Sequence, residues 1–382
     1  MITVEKVTSG EGFKRLAAVW NPLLAESASN TLSLTFEWLT VWWEVFGVER
    51  ELHILVVRDG EELIGIAPLL RREMRHYGVL PYRRLEFLAS GEDEADEICS
   101  EYLDFILRRG REREALEHIF NYLHKNSAEW DELLLSDIRA DSPNLSLLER
   151  MCEASGTKLS VLRKQKSSYL PLADDFESYL MRLSKKFQSN LRRERRVAEK
   201  NEGSLRIIDS LDGFEENFEI LIRLHQSCWT ERGQPGVFAS ERFTRFHREV
   251  ASLILRQGWS RLYVYLLRDK AVAALYAFAY DGKLFYYQSG FLGACAPLYS
   301  PGTLLQSYAI EDAVRSGFRE FDFLKGDEHG YKTKWGALTR EVLSLRLAQS
   351  QSKEMVYNTT TKLVAGLRQF KRSIAPKSKH VE

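Results

Sequence analysis

The sequence predicts a mixed α/β protein built from two related units in tandem, each a mixed β-sheet flanked by helices. Three observations carry this. Short apolar runs with alternating polarity recur between amphipathic helical stretches along the chain. The segment LHILVVRDGEELIGIAPLL, beginning at Leu52, matches LYVYLLRDKAVAALYAFAY, beginning at Leu262, with an Arg-Asp turn at the same offset. Each then continues as strand, helix, strand, through EALEHIFNYLHKNSAEWDELLLSDI from Glu114 and TLLQSYAIEDAVRSGFREFDFLKGD from Thr303. Any two hairpins of similar length align, so it is the shared downstream order that points to a duplicated unit.

The length of 382 residues suits two domains of ordinary size. The expected division is 1–160, 161–350 and a basic tail, 351–382. Fifty-four basic residues balance 54 acidic ones, so bulk charge favours neither nucleic acid nor a membrane surface as partner. The four cysteines are scattered without metal-binding spacing, so no metal is expected. Reduced thiols, no signal-like N-terminus and no apolar run of spanning length fit a cytoplasmic protein.

Taken in order, Ile2–Val7 alternates as a strand, Gly12–Leu24 reads as a helix, and Ser33–Phe46 as an aromatic amphipathic helix. In that helix Trp38, Trp42 and Phe46 recur at helical spacing, as a core face does. Leu52–Val57 and Leu63–Leu70 form a hairpin over Arg58-Asp59-Gly60-Glu61. Strands follow at Arg83–Leu88 and Tyr102–Leu107, separated by an acidic surface loop, Gly91–Glu97. Next come a helix at Arg111–Lys125, a strand at Asp131–Asp137 and a helix at Ser142–Ser155 stopped by Gly156. The second half opens at Ser167–Pro171, then has helices at Asp175–Leu183 and Ser184–Asn201 and a strand at Leu205–Asp209. Two long helices, Phe214–Arg232 and Ser240–Gln257, precede a hairpin (Arg261–Leu267, Ala271–Tyr280), the strand Lys283–Phe291 and a closing strand at Ser344–Ala348.

The organising stretch is 298–335, LYSPGTLLQSYAIEDAVRSGFREFDFLKGDEHGYKTKW. Ser300-Pro301-Gly302-Thr303-Leu304 opens a helix with capping hydroxyls, a glycine and no acidic residue in the first turn, which is the chemistry of an anion site. The matching place in the first half, Arg109-Gly110-Arg111-Glu112-Arg113-Glu114, carries carboxylates that repel a phosphate. The second unit is therefore expected to bind the anionic ligand, and the first to shape the substrate.

The order of hairpin, KLFYYQSGF strand, Ser-Pro-Gly turn, helix and FDFLKGDEHGYKTKW resembles the CelD-type acetyltransferase-like proteins of the GNAT superfamily, from about Phe36 to about Trp335. That group is related to the Fem-type peptidoglycan aminoacyltransferases, which also carry two GNAT-like units. The resemblance implies transfer of an acyl group, acetyl foremost, from acyl-CoA to an amine or hydroxyl of a polar acceptor such as an envelope or exopolysaccharide precursor. It places the pyrophosphate on Ser300, Pro301, Gly302, Thr303 and Leu304. The usual Arg/Gln-x-x-Gly-x-Gly/Ala pattern is incomplete here, with one glycine and no preceding arginine, which leaves room for another activated donor.

Acyl transfer from a thioester needs a base for the acceptor, a donor for the oxyanion and a proton for the thiolate. Asp322, Glu328 and His329 are candidate bases, and Tyr331 a candidate acid. Strand alternation sends Asp322 away from Phe321 and Phe323, and Tyr286 and Gln288 to one face of their strand as substrate contacts. Lys325 and Lys332 are candidate anion contacts. Arg192, Arg195 and Arg196 share a face of the basic helix, SKKFQSNLRRERRVAEKN, and suit a phosphorylated acceptor, an acidic lipid surface or RNA. Two other readings stand beside acyl-CoA chemistry: a Fem-type enzyme using aminoacyl-tRNA, and a ligand-binding module without catalysis.

Overall fold

The computed structural model describes residues 1–76, 80–293, 300–326 and 330–349. Its first half runs β1 (Ile2–Val7), α1 (Gly10–Lys14), α2 (Ala17–Glu26), α3 (Phe36–Phe46), β2 (Glu51–Leu52), β3 (Ile54–Asp59), β4 (Glu62–Ala67), β5 (Leu69–His76), β6 (Leu80–Phe87), β7 (Ile106–Leu107), α4 (Glu112–Lys125), β8 (Glu132–Arg139) and α5 (Pro143–Ser155). The second runs β9 (Leu159–Pro171), α6 (Phe176–Met181), α7 (Lys185–Lys200), β10 (Gly203–Ile208), α8 (Phe214–Thr230), α9 (Glu241–Ile254), β11 (Ser260–Leu267), β12 (Lys270–Tyr280), β13 (Lys283–Phe291), α10 (Pro301–Arg315), β14 (Glu320–Lys325) and β15 (Leu338–Ala348).

The duplication seen in the sequence is present in the topology. In each half a hairpin leads to a strand, a crossover helix and a parallel return strand. β6 lies parallel to β8 over three register pairs, Arg84 with Glu132 to Glu86 with Leu134. β13 lies parallel to β14 over three, Lys283 with Glu320 to Phe285 with Asp322. Past Phe285 and Asp322 β13 and β14 pair no further, and the two strands part as a wedge. Both halves share one eleven-stranded sheet, ordered β10-β11-β12-β13-β14-β9-β15-β8-β6-β5-β2. β15 is inserted between β9 and β8, so the last strand pairs with both halves. A second sheet, β1-β3-β4-β7, completes the first half.

The expected helical core face is there: Trp38, Trp42 and Phe46 are buried, and the Trp38 ring meets Phe246 and Phe278 edge-on across the halves. Apolar packing in the second half divides between the two faces of its sheet. α8 and α9 lie over one, with Phe218, Leu221, Phe246 and Tyr276 in the core. α6, α7 and α10 cover the other, with Leu304, Leu305, Ala309, Phe321 and Phe323. Gly290 lets α8 come close to β13, because a Cβ there would sit 2.2 Å from the His225 nitrogen.

Several strands differ from the sequence reading. β9 has 13 residues where the sequence indicates five, Ser167–Pro171, and its Val161, Leu162, Arg163 and Lys164 are exposed. β5 and β6 form a longer hairpin than the two short apolar runs indicate. The expected strand over Tyr102–Leu107 is confined to Ile106–Leu107; the rest is a loop in which Tyr102 has φ 62°.

Candidate functional site

The site lies where β13 and β14 diverge, at the end from which α10 departs. α10 begins as the sequence indicates: Ser300 is the N-cap, its hydroxyl accepts the Thr303 N–H, Pro301 occupies the first turn, and the first turn holds no acidic residue. Gly302 faces the Phe291 ring, where a Cβ would stand 3.1 Å from ring carbons. One neighbour was not legible in the sequence. Glu194, from α7, accepts the Ser300 N–H at 3.4 Å, so a carboxylate from another helix stands beside the expected anion turn. Burial pushes its pKa up, which weakens its claim on that position as an anion.

Inside the wedge the Tyr331 hydroxyl approaches that of Tyr286, which in turn bonds Ser289 Oγ. Burial raises the Tyr286 pKa, so this relay holds its protons at neutral pH. The Tyr286 and Tyr331 rings both contact Phe323, 5.9 and 6.2 Å between centroids. Lys332 is buried against the same strand, its amine reaching the Phe323 and Leu324 carbonyls at 3.4 and 3.3 Å.

A bulge corrects the alternation expected for β13. Tyr276 pairs with Gln288 and Ala277 with Tyr286, leaving Tyr287 as the extra residue. Gln288 therefore shares a face with Tyr287, on the side of His225 and α8, while Ser289 joins Tyr286 in the wedge. Tyr287 points into the core, bonded to His247 at 2.9 Å and to the Ile98 carbonyl at 2.6 Å.

Asp322 does face away from Phe321 and Phe323, as expected, and this carries it out of the wedge. It is fully buried among Tyr102 Oη (2.8 Å), Ser167 Oγ (3.3 Å) and the Leu324 N–H (2.7 Å). Burial pushes its pKa up, against the nearby Arg340 guanidinium, which itself pairs with Glu320 at 2.6 Å and stacks on Tyr169. Asp322 and Tyr331 thus lie on opposite faces of β14 and do not form one acid–base pair. The Lys325 side chain points to Asp137 at 2.7 Å, not into the wedge. Glu328 and His329 lie outside the described residues, as does the 351–382 tail.

The basic helix is divided in its loyalties. Arg195 is turned inward, bonded to Glu311 at 2.5 Å and Ser307 at 3.1 Å and stacked on Phe176 and Tyr308. Arg192 pairs with Glu177 at the surface, and Arg196 bonds the Arg192 carbonyl. A polar cleft of about 250 Å³ opens at the far end of β13, where the two halves meet, lined by Arg109, Arg139, Asp141, Asp281 and Lys283 among others. Among the described residues no helix is long and apolar enough to cross a membrane, and no group of three or more His, Cys, Asp or Glu is placed to hold a metal.

This geometry has known counterparts. Residues 185–333 match the family model described as an acetyltransferase (GNAT) domain, covering α7 through α10, β14 and the Tyr331-Lys332 segment. The whole chain is similar in fold to FemX (TM-score 0.63, 11% identity, 93% of this chain and 100% of that one). It is also similar to L-PGS from Bacillus licheniformis (0.52, 12%, 90% and 95%) and to a conserved protein of unknown function from Bacteroides thetaiotaomicron VPI-5482 (0.50, 10%, 91% and 100%). At these identities the likeness is one of fold alone, a mixed α/β architecture with sheets flanked by helices, and FemX is among the structural relatives, as the sequence led us to expect. No curated protein matches the chain in sequence.

Proposed function

We propose that this protein is a CelD-type acyltransferase that moves an acyl group, acetyl foremost, from acyl-CoA to an amine or hydroxyl of a polar acceptor, for example an envelope or exopolysaccharide precursor, in the cytoplasm. The observation that carries this reading is the wedge. β13 and β14 run parallel for three pairs and then part, with the α10 N-terminus and a protonated Tyr331–Tyr286–Ser289 relay at the opening. A thioester laid between the parting strands replaces their missing backbone partners. Its pyrophosphate rests on the first turn of α10, over Gly302. The relay supplies the departing thiolate with a proton from Tyr331, replenished through Tyr286. Residues 161–350 form the transferring unit in this reading, and residues 1–160 shape the acceptor's approach.

A second reading, a Fem-type enzyme using aminoacyl-tRNA, is favoured by the likeness to FemX over the full length of that chain. Thermal unfolding with acetyl-CoA, longer acyl-CoAs, free CoA and ATP separates the two. A ligand at a hundred times its dissociation constant adds about 2.7 kcal/mol of stability. Gly302→Glu should abolish the shift, and Gly302→Ala, which brings only a methyl against Phe291, should keep part of it. No shift with any CoA species refutes the acyl-CoA reading. tRNA binding whose affinity falls steeply with salt then selects the second.

A further inference from the structure

The end of β14 is held in an unusual way. β14 pairs with β9 from Glu320 with Pro171 to Asp322 with Tyr169, and then the register slips to Lys325 with Ser167. At the slip Leu324 adopts φ 59°, a left-handed conformation unfavourable for a branched side chain. Two consecutive backbone N–H groups are freed by the slip, and each is taken by a carboxyl group. Leu324 N–H donates to Asp322 Oδ1 at 2.7 Å, and Lys325 N–H lies 2.8 and 2.9 Å from the two oxygens of Glu101.

Glu101 belongs to the first half of the chain, 224 residues earlier. Its loop is anchored on both sides, by Tyr287 Oη on the Ile98 carbonyl and by Tyr102 Oη on Asp322. Lys325 is tied to the first half a second time through Asp137. Cys99, Tyr102 and Asp137 also have left-handed backbones (φ 53°, 62° and 56°), so four such non-glycine residues are tied together in one contact cluster. Strain of this kind is costly and persists where the surroundings over-determine it. Glu101 itself is 3% exposed, and a buried carboxylate is costly unless bonded. A plain contact between halves needs none of this.

We infer that Glu101 is a positioning residue of the transfer wedge: from the first half of the chain it fixes where β14 leaves the sheet, and so fixes the gap between β13 and β14. The consequence for the donor rests on the acyl-CoA reading above; the anchoring does not. Hydrogen exchange read by mass spectrometry on the full chain tests the anchoring without any ligand. Glu101→Ala should speed exchange in peptides covering 321–335 at least tenfold while leaving 260–280 unchanged. Glu101→Gln, which still offers one oxygen to the Lys325 N–H, should return most of the protection. Should Glu101→Ala fail to fold, Glu101→Asp, whose carboxylate stops one methylene short, serves in its place. Acetyl-CoA affinity is then measured on the same proteins, with a tenfold or greater loss expected in the alanine variant and less than threefold in the glutamine variant. Unchanged exchange at 321–335, or faster exchange with unchanged acetyl-CoA affinity, overturns the proposal. If the wild type binds no acyl-CoA, the functional reading fails, and the exchange comparison alone decides whether Glu101 holds the strand.

Discussion

Arg195→Ala separates the two roles that the basic helix could have. In the sequence Arg192, Arg195 and Arg196 look alike; in the structure only Arg195 is committed inward. It makes a charge-assisted bond to Glu311 at 2.5 Å, with 17% and 14% of the two side chains exposed. Such a bond contributes about 1.5–3 kcal/mol. Its guanidinium also lies 4.2 Å from the Tyr308 ring centroid and 4.8 Å from that of Phe176, contacts of about 0.5–1 kcal/mol each. Arg315 also reaches Glu311 at 2.5 Å and keeps the carboxylate paired after the substitution, so the lower end of each range applies. The expected loss is about 2.5 kcal/mol in urea unfolding followed by circular dichroism. Arg192→Ala and Arg196→Ala should each cost less than about 0.5 kcal/mol, as exposed positions do. If Arg195→Ala lost less than about 1 kcal/mol and weakened ligand binding instead, the structural assignment would be refuted.

Three further outcomes are expected. Tyr331→Phe and Tyr286→Phe should each slow transfer by about 10²-fold, the scale of losing a positioned acid, with acyl-CoA affinity within threefold of wild type by calorimetry. Gly290→Ala should destabilise by about 3 kcal/mol in urea unfolding, the upper end of overpacking costs, because the new methyl would meet the backbone of α8 rather than a side chain that can swing away. Glu101 gives a pH signature. Burial, with Asp322 and Asp137 nearby and against the pull of Lys325, pushes its pKa up to about 8. Between about pH 4.5 and 8 the folded protein keeps a proton that the unfolded chain has released, so this group makes stability fall as pH rises through that window, by up to about 1.4 kcal/mol per unit. Glu101→Gln should remove that slope, read as the wild-type minus variant difference in unfolding free energy across the range.

The parts of the fold that were legible from sequence are those where one element's own residues decide the outcome. α7 runs Lys185–Lys200 between a Ser184 cap and Asn201, almost as the pattern indicates, because its caps are local. The hairpin turns at Asp59-Gly60 and Arg268-Asp269 and the start of α10 were legible for the same reason. β9 was not. Its Arg163, Lys164 and Lys166 sit in a strand with neighbours on both edges but an exposed face, so hydropathy gives no sign of pairing. The bulge at Tyr287 reversed the facing of Gln288 and Ser289, and nothing in KLFYYQSGF announces it. Glu101, Tyr102, Ser167 and Arg340 gather around β14 only through tertiary contacts from three distant segments, which no local spacing records.

The insertion of β15 between β9 and β8 also governs how the molecule comes into being. A ribosome delivers β8 and β9 long before their common partner; Ile138 waits for Leu343. Until then two neighbouring edges present bare N–H and C=O groups, the kind that recruit foreign strands. Closure over more than two hundred residues is slow by loop entropy and by the general dependence of folding speed on contact distance. The nascent chain therefore passes through a stage with an open seam down the middle of its sheet. Expression at lower temperature or with holding chaperones should favour soluble product, and severing the chain before Leu338 should yield aggregates rather than two independent halves.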